Sequence, residues 1–77
     1  MNKHQRKQLE AIMEKIDELK SELESIRDDE QEKLDNTPEN LQNSDRYCSM
    51  EESTSSLDEA VDNLQTVYDD ISNAIEQ

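Results

Sequence analysis

Two runs of apolar residues at alternating intervals of three and four constrain this chain more than any other feature. In the first half Leu9, Ile12, Ile16, Leu19, Leu23 and Ile26 follow a 3-4-3-4-3 interval. That interval places one apolar side chain per helical turn along a single seam. Met13 widens the seam on one flank, and Glu, Lys, Gln and Ala, all good helix formers, fill the gaps. Pairs Asp17–Lys20, Glu24–Arg27 and Asp29–Lys33 are spaced for helical ion pairing. The pattern then decays into Asp28-Asp29-Glu30-Gln31-Glu32-Lys33, with Leu34 its last apolar residue. In the second half Tyr47, Met50, Thr54, Leu57, Val61, Leu64, Tyr68, Ile71 and Ile75 repeat the same interval. Ala60, Val67 and Ala74 flank that run at steps of seven. Ser53 to Ser56 is its weak stretch, since hydroxyls compete for backbone hydrogen bonds, and Ser56-Leu57-Asp58-Glu59 offers a capping box. The interval survives across the serines, which favours one unbroken helix.

Between the runs lies Asp35-Asn36-Thr37-Pro38-Glu39. Asn36 suits a left-handed helix end in a chain without glycine. Thr37 suits an N-cap, Pro38 a first helical position, and Glu39 the positive end of a helix dipole. The expectation is an all-α fold in a single domain. An antiparallel two-helix hairpin has helix 1 at about 3–34, a turn at 35–37 and helix 2 at about 38–76. Folded about Asn36, it sets Ile26 against the region of Tyr47 and Leu9 against that of Leu64. Tyr68, Ile71 and Ile75 then overhang the first apolar run, beside Lys3, Arg6 and Lys7, whose charges approach Asp69, Asp70 and Glu76. A core of this size supplies only a few kcal/mol. Self-association into a helical bundle, a dimer or larger, is therefore expected through Leu57, Val61, Leu64, Tyr68, Ile71 and Ile75.

Charge narrows the partners. Residues 1–27 carry six bases and six acids, whereas residues 28–77 carry fifteen acids against Lys33 and Arg46, so the whole net charge of −13 lies there. Such a surface repels free nucleic acid and anionic membranes and suits a basic protein, expected to be bacterial. No apolar run approaches a membrane span and no signal-peptide core is present. The lone Cys48 makes no internal bridge, in keeping with a reducing compartment, and the expected location is the cytoplasm of a bacterial host cell. The absence of glycine removes Gly-rich phosphate loops and nucleophile elbows.

Catalytic chemistry finds little support. His4 stands alone in a basic N-terminus without ligands at metal-binding spacing, and Cys48 lacks a neighbouring base. Carboxylate pairs such as Asp28-Asp29, Glu51-Glu52 and Asp69-Asp70 are expected by chance in so acidic a chain and are read as a solvated face. No EF-hand loop occurs. Neither an enzyme, a metal site nor a cofactor is expected. One segment differs: Asn40, Gln42, Asn43, Asp45, Arg46 and Tyr47 gather amides, an isolated guanidinium and an aromatic ring. Those groups hydrogen-bond and stack on planar ligands or anchor protein contacts. The plainer interpretation is a polar first turn, with Arg46 paired to nearby acids and Tyr47 in the seam.

The chain resembles small helical proteins from phages and mobile elements of Gram-positive bacteria. The resemblance rests on the basic start Asn2-Lys3 through Lys7, the acidic Glu30-Gln31-Glu32 and the turn Pro38-Glu39-Asn40-Leu41-Gln42-Asn43-Ser44. It continues through Met50-Glu51-Glu52 to Ala60, and implies a phage or prophage origin without an assigned activity. Asp45-Arg46-Tyr47 with Met50 and Leu57 is similar to the Arg-aromatic helix of phage sponges that sequester cyclic oligonucleotide immune signals. Greater acidity and the serine run set this chain apart from them.

Three functions follow as expectations. The first is a counter-defence protein that inhibits a bacterial immune or host enzyme stoichiometrically, its acidic helix mimicking a nucleic acid through Asp58, Glu59, Asp62, Asp69 and Asp70. The second is an oligomeric sponge that holds a nucleotide second messenger near Asn40, Asn43, Arg46 and Tyr47. The third is a structural or scaffolding coiled coil.

Overall fold

The computed structural model describes all of residues 1–77 and is all-helical. Helix α1 (Lys3–Asp35) and helix α2 (Asp45–Glu76) pack against each other as a hairpin, joined by a tip that holds one 3-10 turn, Glu39–Leu41. The Cα atoms extend over 59 × 16 × 13 Å, so the molecule is a narrow rod.

Each helix begins on a side-chain cap. At the start of α1 the Gln5 backbone N–H donates to Asn2 Oδ1 at 2.8 Å, and the Asn2 N–H donates to Gln5 Oε1 at 3.3 Å. This capping box uses Asn and Gln and satisfies two donors that the helix itself leaves unpaired. Helix α2 starts at Asp45, seven residues later than Thr37-Pro38 suggests, because Ser44 is the residue that caps it. Ser44 Oγ accepts from the Tyr47 N–H at 3.1 Å and donates to the Leu41 carbonyl at 2.8 Å. Thr37 acts as a stop instead, its hydroxyl donating to the Lys33 carbonyl at 2.8 Å. Pro38 is extended (φ −61°, ψ 148°), and a proline disfavours helical geometry in the residue before it. Asn36 is not left-handed: it lies at φ −90°, ψ 0°, and no residue in the chain has positive φ. The Thr37 hydroxyl and the Thr37 N–H, which donates to the Leu34 carbonyl at 3.1 Å, satisfy carbonyls that a left-handed cap would otherwise serve.

Helix α2 runs unbroken through Ser53–Ser56. The Thr54 hydroxyl, buried in the seam, donates to the Met50 carbonyl at 2.9 Å and leaves no unsatisfied polar atom.

The length of the tip sets the register. Nine residues, 36–44, lie outside the two long helices, so opposition differs from a fold centred on Asn36. Lys20 Nζ donates to Gln65 Oε1, and seven residues further along Arg27 Nη1 reaches Asp58 Oδ1 at 2.9 Å. Ile26 accordingly shares a groove with Ala60, and Leu23 with Leu64. The expected oppositions of Ile26 to Tyr47 and Leu9 to Leu64 are thus displaced by about three turns. Tyr68, Ile71 and Ile75 do not overhang. They are half-buried at the level of Leu9, Met13 and Ile16, and Lys3, Arg6 and Lys7 extend past the end of α2 without an ion pair.

Helix α2 buries the line read from its sequence, from Tyr47 to Ile75. Leu57, Val61, Leu64, Tyr68, Ile71 and Ile75, expected above to contact a second copy, pack along the seam within one chain, and Leu64 also lines the open groove beside it. Helix α1 is rotated relative to its apolar run. Its covered line is Leu9, Met13, Ile16, Lys20, Leu23, Arg27, Glu30 and Leu34, while Ile12, Leu19 and Ile26 remain 43%, 51% and 53% exposed. The rotation brings Leu34 into the seam where the other line would bring Lys33, and it sets Lys20 and Arg27 against polar partners on α2. Their aliphatic stems cover the seam while their charged heads stay wet. The buried set is only Ile16, Leu34, Val61 and Thr54, each still 5–8% exposed.

The ion pairs differ accordingly. Lys20 pairs with Glu24 at 3.8 Å, Lys33 with Glu30 at 2.9 Å, and Arg27 with Asp28 at 3.2 Å and Asp58. The hydrogen bonds that Arg27 donates to Asp28 and Asp58 hold its guanidinium above its ordinary pKa. Partly exposed pairs of this kind add little stability and chiefly fix alignment.

Candidate functional site

The register gives the rod two unlike flanks. On one, Lys20–Gln65 and Arg27–Asp58 close the cleft with polar groups. On the other, Ile12, Leu19 and Ile26 of α1 run at steps of seven beside Ala74, Val67 and Ala60 of α2. Leu19, Leu23, Ile26, Ala60, Leu64 and Val67 line an open groove there of about 520 Å³, edged by Glu22 and Asn63. Nothing within the chain covers this contiguous apolar flank, which is of the kind that suits an interface. Sequence reasoning placed these α1 residues in the hairpin seam because they share its interval. The signal that separates the two roles is Leu34, which extends the Met13-Lys20-Arg27 line and not the Ile12 line.

The back of α2 carries the charge. Asp45, Glu52 and Glu59 form one line at steps of seven, and Asp62, Asp69 and Glu76 form an adjacent one, all exposed. The carboxylates of Glu59, Asp62 and Asp70 take no hydrogen bond, whereas that of Asp69 accepts from Gln65 Nε2 at 2.9 Å and that of Asp58 is engaged by Arg27. Of the five residues expected to act together, Glu59, Asp62 and Asp69 lie on the back of α2, Asp70 lies at the edge of the apolar flank in line with Asn63, and Asp58 is spent on the polar flank.

The tip holds a third feature. An open depression of about 450 Å³ is lined by Pro38, Leu41, Ser44, Arg46, Tyr47 and Met50, with Asn36 and Thr37 at its edge. It brings Arg46 and Tyr47 together over an apolar floor, and Arg46 forms no ion pair with the neighbouring acids. Asn40 and Asn43 do not line it. Gln42 has a structural part, its Nε2 donating to the Thr37 carbonyl at 3.2 Å, and Asp45 occupies the first turn of α2, where a negative charge favours the helix dipole. Pro38, Leu41 and Met50, absent from the expected set, supply its apolar surface.

No three His, Cys, Asp or Glu side chains converge as metal ligands, and no helix is long and apolar enough to cross a membrane. Cys48 is exposed. The arrangement offers surfaces for contact: an apolar flank, an acidic back and a small cationic-aromatic depression. No protein-family model, curated protein or solved structure matches the chain.

Proposed function

We propose that this chain is a non-catalytic interaction protein of a phage or mobile element, acting in the bacterial cytoplasm as a stoichiometric inhibitor of an immune or host enzyme. It self-associates through its apolar flank into a four-helix bundle and presents the acidic back of a second helix to a basic groove. The observation that carries this reading is the placement of charge: α2 exposes nine acids with Arg46 as its one base. Thirteen net charges along 59 Å amount to about one per 4.5 Å, and two rods side by side to about one per 2.3 Å, against about one per 1.7 Å in duplex DNA. Paired rods thus approach the linear charge density that nucleic-acid-binding grooves are built to neutralise.

The test is capture from a bacterial lysate by the wild type and by a variant neutralised at Asp58, Glu59, Asp62, Asp69 and Asp70. Nucleic-acid-binding proteins should be retained at low salt, displaced by added duplex DNA and absent from the variant. Partners that resist both DNA and high salt, or that the variant still captures, would sink the mimicry. A second reading is favoured by the Arg46–Tyr47 depression, which suits a planar anionic ligand such as a nucleotide immune signal. A panel of cyclic nucleotides that leaves the melting temperature unmoved would remove it.

A further inference from the structure

Resting on the reading that two copies pair through the apolar flank, we infer how they pair: the two-fold axis runs along the rod, so that α1 of each copy lies over α2 of its partner. The whole face of the rod, 59 Å long and 13–16 Å wide, offers on the order of 800 Å² per copy, the area a standard stable interface needs from each partner, with the apolar layers from Ile12 to Ile26 occupying about 21 Å at its middle. Two arrangements keep stacked helices antiparallel. In one the axis crosses the rod, stacking α1 on α1 and α2 on α2. In the other the axis follows the rod.

Packing separates them. Each layer of the flank holds one large residue from α1 and one smaller residue from α2: Ile12 with Ala74, Leu19 with Val67 and Ile26 with Ala60. An axis along the rod keeps the layers level and sets each large side chain over a small one of the partner, giving an evenly filled core. An axis across the rod puts isoleucine on isoleucine along one edge and alanine on alanine along the other, which wedges the bundle open.

Charge points the same way. Helix α1 carries seven bases and eleven acids, α2 one base and nine acids, for net charges of −4 and −8. The crossed arrangement stacks the two −8 helices directly on each other, and the along-rod arrangement sets them on the diagonal. It also brings Lys15, on the outer edge of the flank, level with Asp70 on the corresponding edge of α2. Neither residue has an ion pair within its own chain.

Single-cysteine chains in a Cys48→Ser background test this directly, because disulfides need Cα atoms within about 7 Å. Mixing Lys15→Cys chains with Asp70→Cys chains should give a mixed disulfide dimer on oxidation. Mixing Lys15→Cys with Glu22→Cys chains should not, since those positions meet only in the crossed arrangement. Sedimentation of the unmodified chain supplies the control. A dimer that cross-links 15 to 22, or that joins neither pair, overturns the along-rod axis and leaves self-association standing. A chain that sediments as a monomer at every concentration overturns self-association itself.

Discussion

Ile16 and Ile26 are the same residue type on the same helix, and both belong to the apolar run of the first half. The fold separates them, leaving Ile16 8% exposed and Ile26 53%. Full burial of such a side chain contributes about 1.5–3 kcal/mol. Scaled by the covered fraction, Ile16 contributes about 1.4–2.8 kcal/mol and Ile26 about 0.7–1.4 kcal/mol. Truncating Ile16 also leaves a cavity, which the open site of Ile26 does not. Ile16→Ala should therefore cost about 1–2 kcal/mol more than Ile26→Ala, a gap of roughly 4–16 °C in melting temperature for a chain of this length. The assay is thermal unfolding by circular dichroism across a dilution series. In dilute solution the full gap should appear. As concentration rises the wild type should gain stability through mass action, and Ile26→Ala should gain less, because a second copy covers Ile26. Equal losses from the two substitutions at every concentration would refute their placement on different sides of α1.

Ser44→Ala removes the cap of α2 and should cost about 1 kcal/mol in urea unfolding, whereas Asn43→Ala should leave stability unchanged. Raising salt from about 0.05 to about 0.5 M should tighten self-association, by screening like charge, and weaken capture of basic partners, by screening opposite charge. A common direction in sedimentation and capture assays would contradict one of the two surfaces. Cys48 should react fully with a thiol reagent in the native protein, alone or assembled; protection on assembly would place the interface on the wrong flank.

Much of the fold is legible in the amino-acid sequence because helical periodicity is a local property. The hairpin and the whole seam of α2 follow from the spacing of nine residues between Tyr47 and Ile75. Two things are hidden. The start of α2 depends on a choice between two plausible caps, Thr37 and Ser44, and hydrogen bonds from the Thr37 hydroxyl and the Gln42 amide decide it. That choice moves the start of α2 by seven residues, about two of the three turns by which the cross-helix pairings are displaced. The rotation of α1 is hidden because Leu9, Ile16 and Leu23 belong equally to two lines. The partners that choose between those lines, Asp58 and Gln65, sit more than thirty residues away. At the tip, Arg46 and Tyr47 are visible as unusual residues in an acidic chain. The apolar floor beneath them arises only when Leu41 and Met50 are folded together.

The tip reverses the chain without a single residue of positive φ. Its shape is held by Thr37, Gln42 and Ser44, through bonds to backbone groups, while the side chains of Asn40, Asn43 and Arg46 take no part in them. A glycine-dependent turn tolerates few substitutions at its key position. Here the positions facing solvent carry no such demand, so they are open to mutation without loss of the hairpin. The rod can therefore persist as a fixed frame while the identities at 40, 43 and 46 change, so that one shape can carry tips of different charge and polarity.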